Sequence, residues 1–163
     1  MLAAPHETTV EDFSWNDCTR AQWDDLYRLA GKTSLEQSWA YGEAVAAHYK
    51  QTVERHIVCA GKAPLAMLQA HRRRRGPVGI TRILRGPVWL IGPLADARAQ
   101  TLCAGIAERY RPRRFDFLSW LPELPKGPRA GAMIEAAGLR RVVTGYATVW
   151  LDLQRSPEAL LAG

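Results

Sequence analysis

The sequence predicts an α+β fold in which a mixed, largely antiparallel central sheet is flanked by about four helices. Three observations point there. Segments with apolar residues at helical spacing alternate with β-branched runs, and three of those runs are separated only by short glycine-containing turns. With 163 residues, 47% hydrophobic and 23% charged, the chain has the balance of one domain with its own core. Disorder, a collagen-like chain and a disulfide-stapled miniprotein do not fit that composition.

Thr8 to Phe13 is a short strand before a turn at Asn16-Asp17. Thr19 then has the character of a helix N-cap, because Trp23, Leu26, Tyr27 and Ala30 follow on one face, and Gly31 stands where a left-handed cap residue belongs. A second helix begins near Ser38 and runs to Tyr49; Gly42 and its alanines allow close approach of a neighbour. From Val53 the period changes. Val53 to Ala60 is a strand bounded by the hairpin turn Gly61-Lys62, and Ala63 to Arg74 returns antiparallel to it. Gly76 to Gly79 forms the next turn, and Ile80 to Leu90 completes a meander, interrupted near Gly86-Pro87 because proline cannot donate to the ladder.

Asp96 caps a third helix with an apolar face of Ala99, Leu102, Cys103, Ile106 and Tyr110, ended by Arg111-Pro112. Phe115 to Leu121 reads as a buried strand stopped by Pro122. Pro128 opens a fourth helix, through Met133 to Ala137, with Gly138 as its cap. Tyr146 to Leu153 is a final strand. Ser156-Pro157-Glu158 then gives the start signal of a helix, yet the chain stops at Gly163, too soon for a stable one. The expectation is a single domain over residues 1–155, with 156–163 leading into a second domain in cis.

No run of about 18 apolar residues occurs, and the N-terminus turns polar too early for a signal peptide, so the chain reads as soluble and cytoplasmic, without a transmembrane segment. Cys18, Cys59 and Cys103 are far apart and odd in number, which suggests inert thiols rather than a disulfide framework or a zinc site. The net charge of +6 is unevenly spread: residues 1–43 carry eight acids and three bases, a balance of −5, and the remainder carries +11. Eighteen of the bases are Arg and four are Lys. Arginine forks suit carboxylate and phosphate, although a GC-rich genome produces the same bias.

The phrases Ser34-Leu35-Glu36-Gln37-Ser38-Trp39-Ala40-Tyr41-Gly42, Arg85-Gly86-Pro87-Val88-Trp89 and Thr148 to Leu153 followed by Ser-Pro-Glu resemble the first half of FemAB-like proteins. These are double-GNAT acyltransferases related to the enzymes that build peptidoglycan bridges. The order of elements is also that of the GNAT fold. The resemblance spans roughly residues 9 to 160. It implies a GNAT-like N-terminal half, transfer of an acyl or aminoacyl group from acyl-CoA or aminoacyl-tRNA to an amine, and no metal. GNAT domains that hold CoA use a glycine-rich turn before the third helix to cradle pyrophosphate. Leu90 to Asp96 departs from that pattern, since Pro93 lacks an amide hydrogen and Asp96 adds negative charge, so no cofactor is expected on this half.

Direct attack of an amine on a thioester needs orientation, a base and oxyanion donors, with no obligatory nucleophile. Hydrolase, zinc-protease and nucleotidase signatures are missing. His6, His48, His56 and His71 are scattered and read as surface or hydrogen-bonded residues. In the fold implied by the resemblance the first helices flank the acceptor cleft, so Trp39, Tyr41 and Glu43 are candidates to shape it, with a core role preferred for Trp39. Glu43 and Glu54 are candidate bases. The helix Ser38 to Tyr49 lacks the lysine that bridge-forming relatives turn toward a substrate phosphate, which counts against a peptidoglycan precursor as acceptor. Arg85 and Trp89, beside the strand break, are assigned to substrate contact.

Arg72 to Arg75 with Arg82 and Arg85 give six positive charges and no acid between residues 72 and 85. Arg72 and Arg74 face one side and Arg73 and Arg75 the other. A solvated hairpin tip that discourages edge pairing is the plain reading. Arg72, Arg74 and Arg82 are the candidates for anion contact. The expected function is therefore the acceptor half of an N-acyltransferase acting on a cell-envelope or polysaccharide amine and incomplete alone, its partners a second GNAT-like domain, a glycan or small-molecule amine and tRNA. The alternative is a non-catalytic basic module that contacts nucleic acid or another polyanion.

Overall fold

A computed structural model of the chain describes residues 13–90, 96–124 and 128–142. Its elements, in order, are β1 (Phe13–Asn16), α1 (Arg20–Leu29), α2 (Trp39–Tyr49), β2 (Thr52–Ala60), β3 (Ala63–Arg75), β4 (Val78–Leu84), β5 (Val88–Trp89), α3 (Asp96–Arg109), β6 (Asp116–Leu121) and α4 (Pro128–Ala136). The sheet runs β1-β2-β3-β4-β6, with β5 paired to β3 beyond the end of β4. All pairings are antiparallel except β4 with β6, which is parallel and joined through α3. This mixed, mostly antiparallel sheet with four described helices is the predicted α+β architecture and is consistent with a GNAT-like one.

Local sequence accounts for most boundaries. Thr19 caps α1 in a full capping box, accepting from the Gln22 amide while the Gln22 side chain accepts from the Thr19 N–H. Ser38 caps α2 through the Tyr41 amide at 3.2 Å. The hairpins turn at Gly61-Lys62 and Gly76-Pro77, and Gly61 and Gly76 have the left-handed φ values of 58° and 57° that such tight turns demand. Gly138, with φ 78°, closes α4: its amide donates to Glu135 and that of Leu139 to Ile134, the paired bonds of a Schellman motif.

Several expectations are corrected. The first strand runs to Asn16, the first of the two residues read as a turn, because the Phe13–Asn16 backbone pairs with Ile57–Ala60. Ala30, in extended conformation, ends α1, and Gly31 is not a left-handed cap. The β3–β4 turn is tighter than expected, so β4 starts at Val78. β6 is only half buried: Phe117 is 60% exposed while Leu118 and Trp120 turn to the core. The break at Gly86-Pro87 is present, its peptide bond cis, and divides the expected single strand into β4 and β5. The strand expected at Tyr146–Leu153, the helix start at Ser156, residues 91–95 of the Leu90 to Asp96 segment and the residues before Phe13 lie outside the described residues.

Because side chains alternate along β3, its two faces have different coverings. Ala66, Leu68 and Ala70 meet Leu102 and Ile106 of α3 and Tyr110 just after it, together with Val58 and Ile83. Met67 meets Trp23 of α1 and Val88. Trp23 is fully buried, packs edge-on to Trp39 at 6.4 Å between ring centroids and donates to the Gln37 carbonyl. On this second face a polar layer succeeds the apolar one, and it leads to the open part of the sheet.

Candidate functional site

The residues of β3 that point toward α2 are, in order, Met67, Gln69, His71 and Arg73, a passage from hydrophobic to charged along one face. Gln69 is fully buried and satisfied: its amide nitrogen donates to the carbonyls of Glu36 and Ser38, and its Oε1 accepts from Arg55 Nε at 2.7 Å. Arg55 also lies 3.8 Å over the Trp39 ring and bonds the Trp39 carbonyl and the Glu43 carboxylate. A cation buried in this way is stable because each face of its fork has a partner. Gly42 makes the arrangement fit, since a Cβ there would collide with the ends of Gln69 and Arg55.

One step further along β3, the polar layer is no longer satisfied. His71 is 2% exposed, and neither ring nitrogen has a hydrogen-bond partner among the described residues. Tyr41 meets it edge-on at 6.0 Å. Burial, then the charges of Arg55 and Arg82, lower its pKa from the ordinary 6.5, so the ring is neutral at pH 7 and offers one donor and one acceptor.

His71 forms the floor of a cleft of about 300 Å³. The roof is the stripe Tyr41, Val45 and Tyr49, spaced i, i+4, i+8 along α2, and the strand walls are Arg73, Arg82 and Leu84. Arg82 stands directly opposite His71 in the β3–β4 register and so shares its face. A neutral buried imidazole under an aromatic roof, with arginines at the rim, can accept a proton from a bound group and hold an anionic one.

Sequence reading named some of these residues and missed the central one. Tyr41 and Arg82 line the cleft. Trp39 packs against Trp23 and under Arg55. Glu43 is paired with Arg55 at 2.8 Å, and Glu54 lies on the opposite face of the sheet with Arg72 at 3.4 Å. Arg74, on that same opposite face, pairs with Asp116 at 2.6 Å, so the structure does not bring Arg72 and Arg74 together with Arg82. Arg85 has the left-handed φ of 49°, is 12% exposed and pairs with Glu123 at 2.8 Å. Trp89 donates to the Glu123 carbonyl at 3.3 Å and Trp120 to that of Gly86 at 2.8 Å, so these contacts lace together the place where β4 and β5 part. His71 had one signal in sequence: it ends the apolar run of β3 just before the arginines.

A second buried imidazole, His56, lies on the α3 face between Trp15, Arg109 and Asp17. Arg109 approaches its Nε2 at 3.0 Å, while Asp17 Oδ1 is 3.3 Å from Nδ1 without the alignment of a hydrogen bond. With Nε2 occupied by a guanidinium, this histidine has a structural partner where His71 has no hydrogen-bond partner among the described residues. Among the described residues no cluster of His, Cys, Asp and Glu is arranged to hold a metal ion, and no helix is long and apolar enough to cross a membrane.

No protein-family model matches the chain, and no curated protein matches it. Among solved structures, a mutant of the Thermus thermophilus protein TTHA1254 is similar at 17% identity and a TM-score of 0.42, over 88% of this chain and 98% of that one.

Proposed function

We propose that this chain is the acceptor-side domain of a FemAB-like N-acyltransferase, acting in the cytoplasm, which binds an amine in the cleft between α2 and the β3–β4 hairpin. The observation that carries the reading is His71, a buried neutral imidazole whose two ring nitrogens have no hydrogen-bond partner among the described residues, at the floor of an open cleft. An amine that attacks an acyl carbonyl becomes cationic as the C–N bond forms, and it must lose a proton as the thioester or ester bond breaks. In this reading His71 takes that proton, and Tyr41 and Tyr49 enclose the amine from above. Glu43 and Glu54 are less suited, since one is tied to Arg55 and the other faces away. The donor, acyl-CoA or aminoacyl-tRNA, is assigned to a second GNAT-like domain in cis.

The test is incubation of the protein with acetyl-CoA and a pool of amino sugars and amino-acid amides, read by mass spectrometry, and repeated with the GNAT-like domain supplied as a longer chain. Acylated product that His71→Gln lowers at neutral pH and regains at higher pH supports the reading. No product from either chain overturns it.

A further inference from the structure

The six arginines between residues 72 and 85 divide into those that have an acid and those that do not. Arg72, Arg74 and Arg85 pair with Glu54, Asp116 and Glu123. Arg73, Arg75 and Arg82, which share the α2-side face, have no acidic partner among the described residues. The division follows the sheet. Acids reach the α3 face from β2 and β6, and among the described residues no carboxylate lines the cleft on the other.

Arg73 and Arg82 both border the cleft. Arg73 is opposite Ile80 and Arg82 is opposite His71, which makes the two arginines diagonal neighbours with Cβ atoms about 7 Å apart. At that spacing both forks reach one small anion, and their mutual repulsion is relieved when it binds. We propose that the cleft recognises a small molecule through an oxyanion, a phosphoryl or carboxylate group, gripped by Arg73 and Arg82 while His71 hydrogen-bonds to it from the floor. The cleft volume of about 300 Å³ suits a ligand of monosaccharide or amino-acid size. The inference rests on the proposed function only in taking this cleft as the ligand site; it does not require acyl transfer.

The groups that face His71 are Tyr41 and Tyr49 from α2, Arg55 from β2, Arg82 from β4 and Arg73 on its own strand. An anion that offsets Arg82 therefore changes the magnetic and electrostatic surroundings of the ring. The experiment is titration of the protein with inorganic phosphate and, separately, acetate at constant ionic strength, while the His71 ring signals, assigned with His71→Gln, are followed by NMR.

The expected result is a saturable movement of the His71 signals, with affinity about tenfold weaker in Arg82→Gln and in Arg73→Gln, and unchanged in Arg72→Gln and Arg74→Gln. Response to phosphate alone assigns a phosphoryl ligand, and response to acetate alone a carboxylate. No movement with either anion, or equal weakening by Arg72→Gln, overturns the inference. Anion binding without any acylated amine removes the transferase reading and leaves this one standing. Acylation that Arg82→Gln and Arg73→Gln leave unaltered does the reverse.

Discussion

The side-chain amide of Gln37 takes the place of a peptide unit beside Gln69, accepting from the Gln69 N–H at 2.8 Å and donating to the Gln69 carbonyl at 3.1 Å. The same nitrogen donates to the Leu84 carbonyl at 2.7 Å. The last β3–β4 backbone pair is His71 with Arg82, so Gln37 fills the gap that opens as β4 leaves β3. By holding that gap it supports the strand walls of the cleft.

Gln37→Ala strands a buried N–H and two carbonyls that the sheet cannot pair otherwise. Each such group costs about 1–3 kcal/mol, so the variant is expected to lose about 3 kcal/mol or more. Urea unfolding, with an unchanged slope, measures it. Gly86→Ala is expected to destabilise in the same direction, because its Cβ would stand 2.8 Å from the Gln37 amide.

Gly42→Ala separates helix propensity from packing. In an exposed helix, alanine would stabilise by about 1 kcal/mol. Here its Cβ meets Gln69 and Arg55, both fixed by several hydrogen bonds, and overpacking of this kind costs about 1–3 kcal/mol. A net loss of stability is expected in thermal or urea unfolding, and a gain would show that the Arg55 layer yields easily.

Stability should fall as the solution is acidified below pH 6.5. His71 and His56 both have folded pKa values lowered chiefly by burial, so the unfolded chain binds more protons between the folded and unfolded values. Their contribution is complete above the unfolded value of 6.5 and is lost progressively as pH falls toward and through the folded ones. At its steepest each imidazole contributes about 1.4 kcal/mol per pH unit. Urea midpoints measured from pH 7.5 down to about pH 5 should show this limb, and His71→Gln should make it shallower by the share of one group.

The three thiols should react at different rates. Cys103, on α3, is fully buried, and burial pushes its pKa up to about 12. Cys18 and Cys59 are partly exposed, with burial also raising Cys18. Labelling with a disulfide reagent at pH 8, located by peptide mass spectrometry, is expected to modify Cys59 first and Cys103 only on unfolding. Early labelling of Cys103 would contradict the packing of α3.

The elements were legible in the sequence because their signals are local. The Thr19 cap, the helix start at Ser38, the Gly61-Lys62 turn and the Gly138 cap act within a few residues of chain and appear where the sequence puts them, while the turn after Gly76 is shorter by two residues. Errors arose where distant parts of the chain decided the outcome: Asn16 was drawn into β1 by Ile57, and Phe117 is exposed because the described residues give that side of β6 little covering. The site was less legible. Tyr41 and Arg82 were named, yet His71 passed as an ordinary histidine, since its burial depends on α2 lying across β3.

By itself the sequence determined the order of helices and strands, their caps and turns, and the concentration of arginine in one hairpin, all consequences of backbone preference and short-range hydrogen bonding. Tertiary structure alone decided what that concentration means. The β2–β3 register and the parallel β4–β6 register bring Glu54 to Arg72 and Asp116 to Arg74, and leave Arg73 and Arg82, beside His71, with no acidic partner among the described residues. Charge pairing acts through space between residues up to 42 positions apart in the chain, so only folding could sort the arginines that have an acidic partner from those that have none among the described residues.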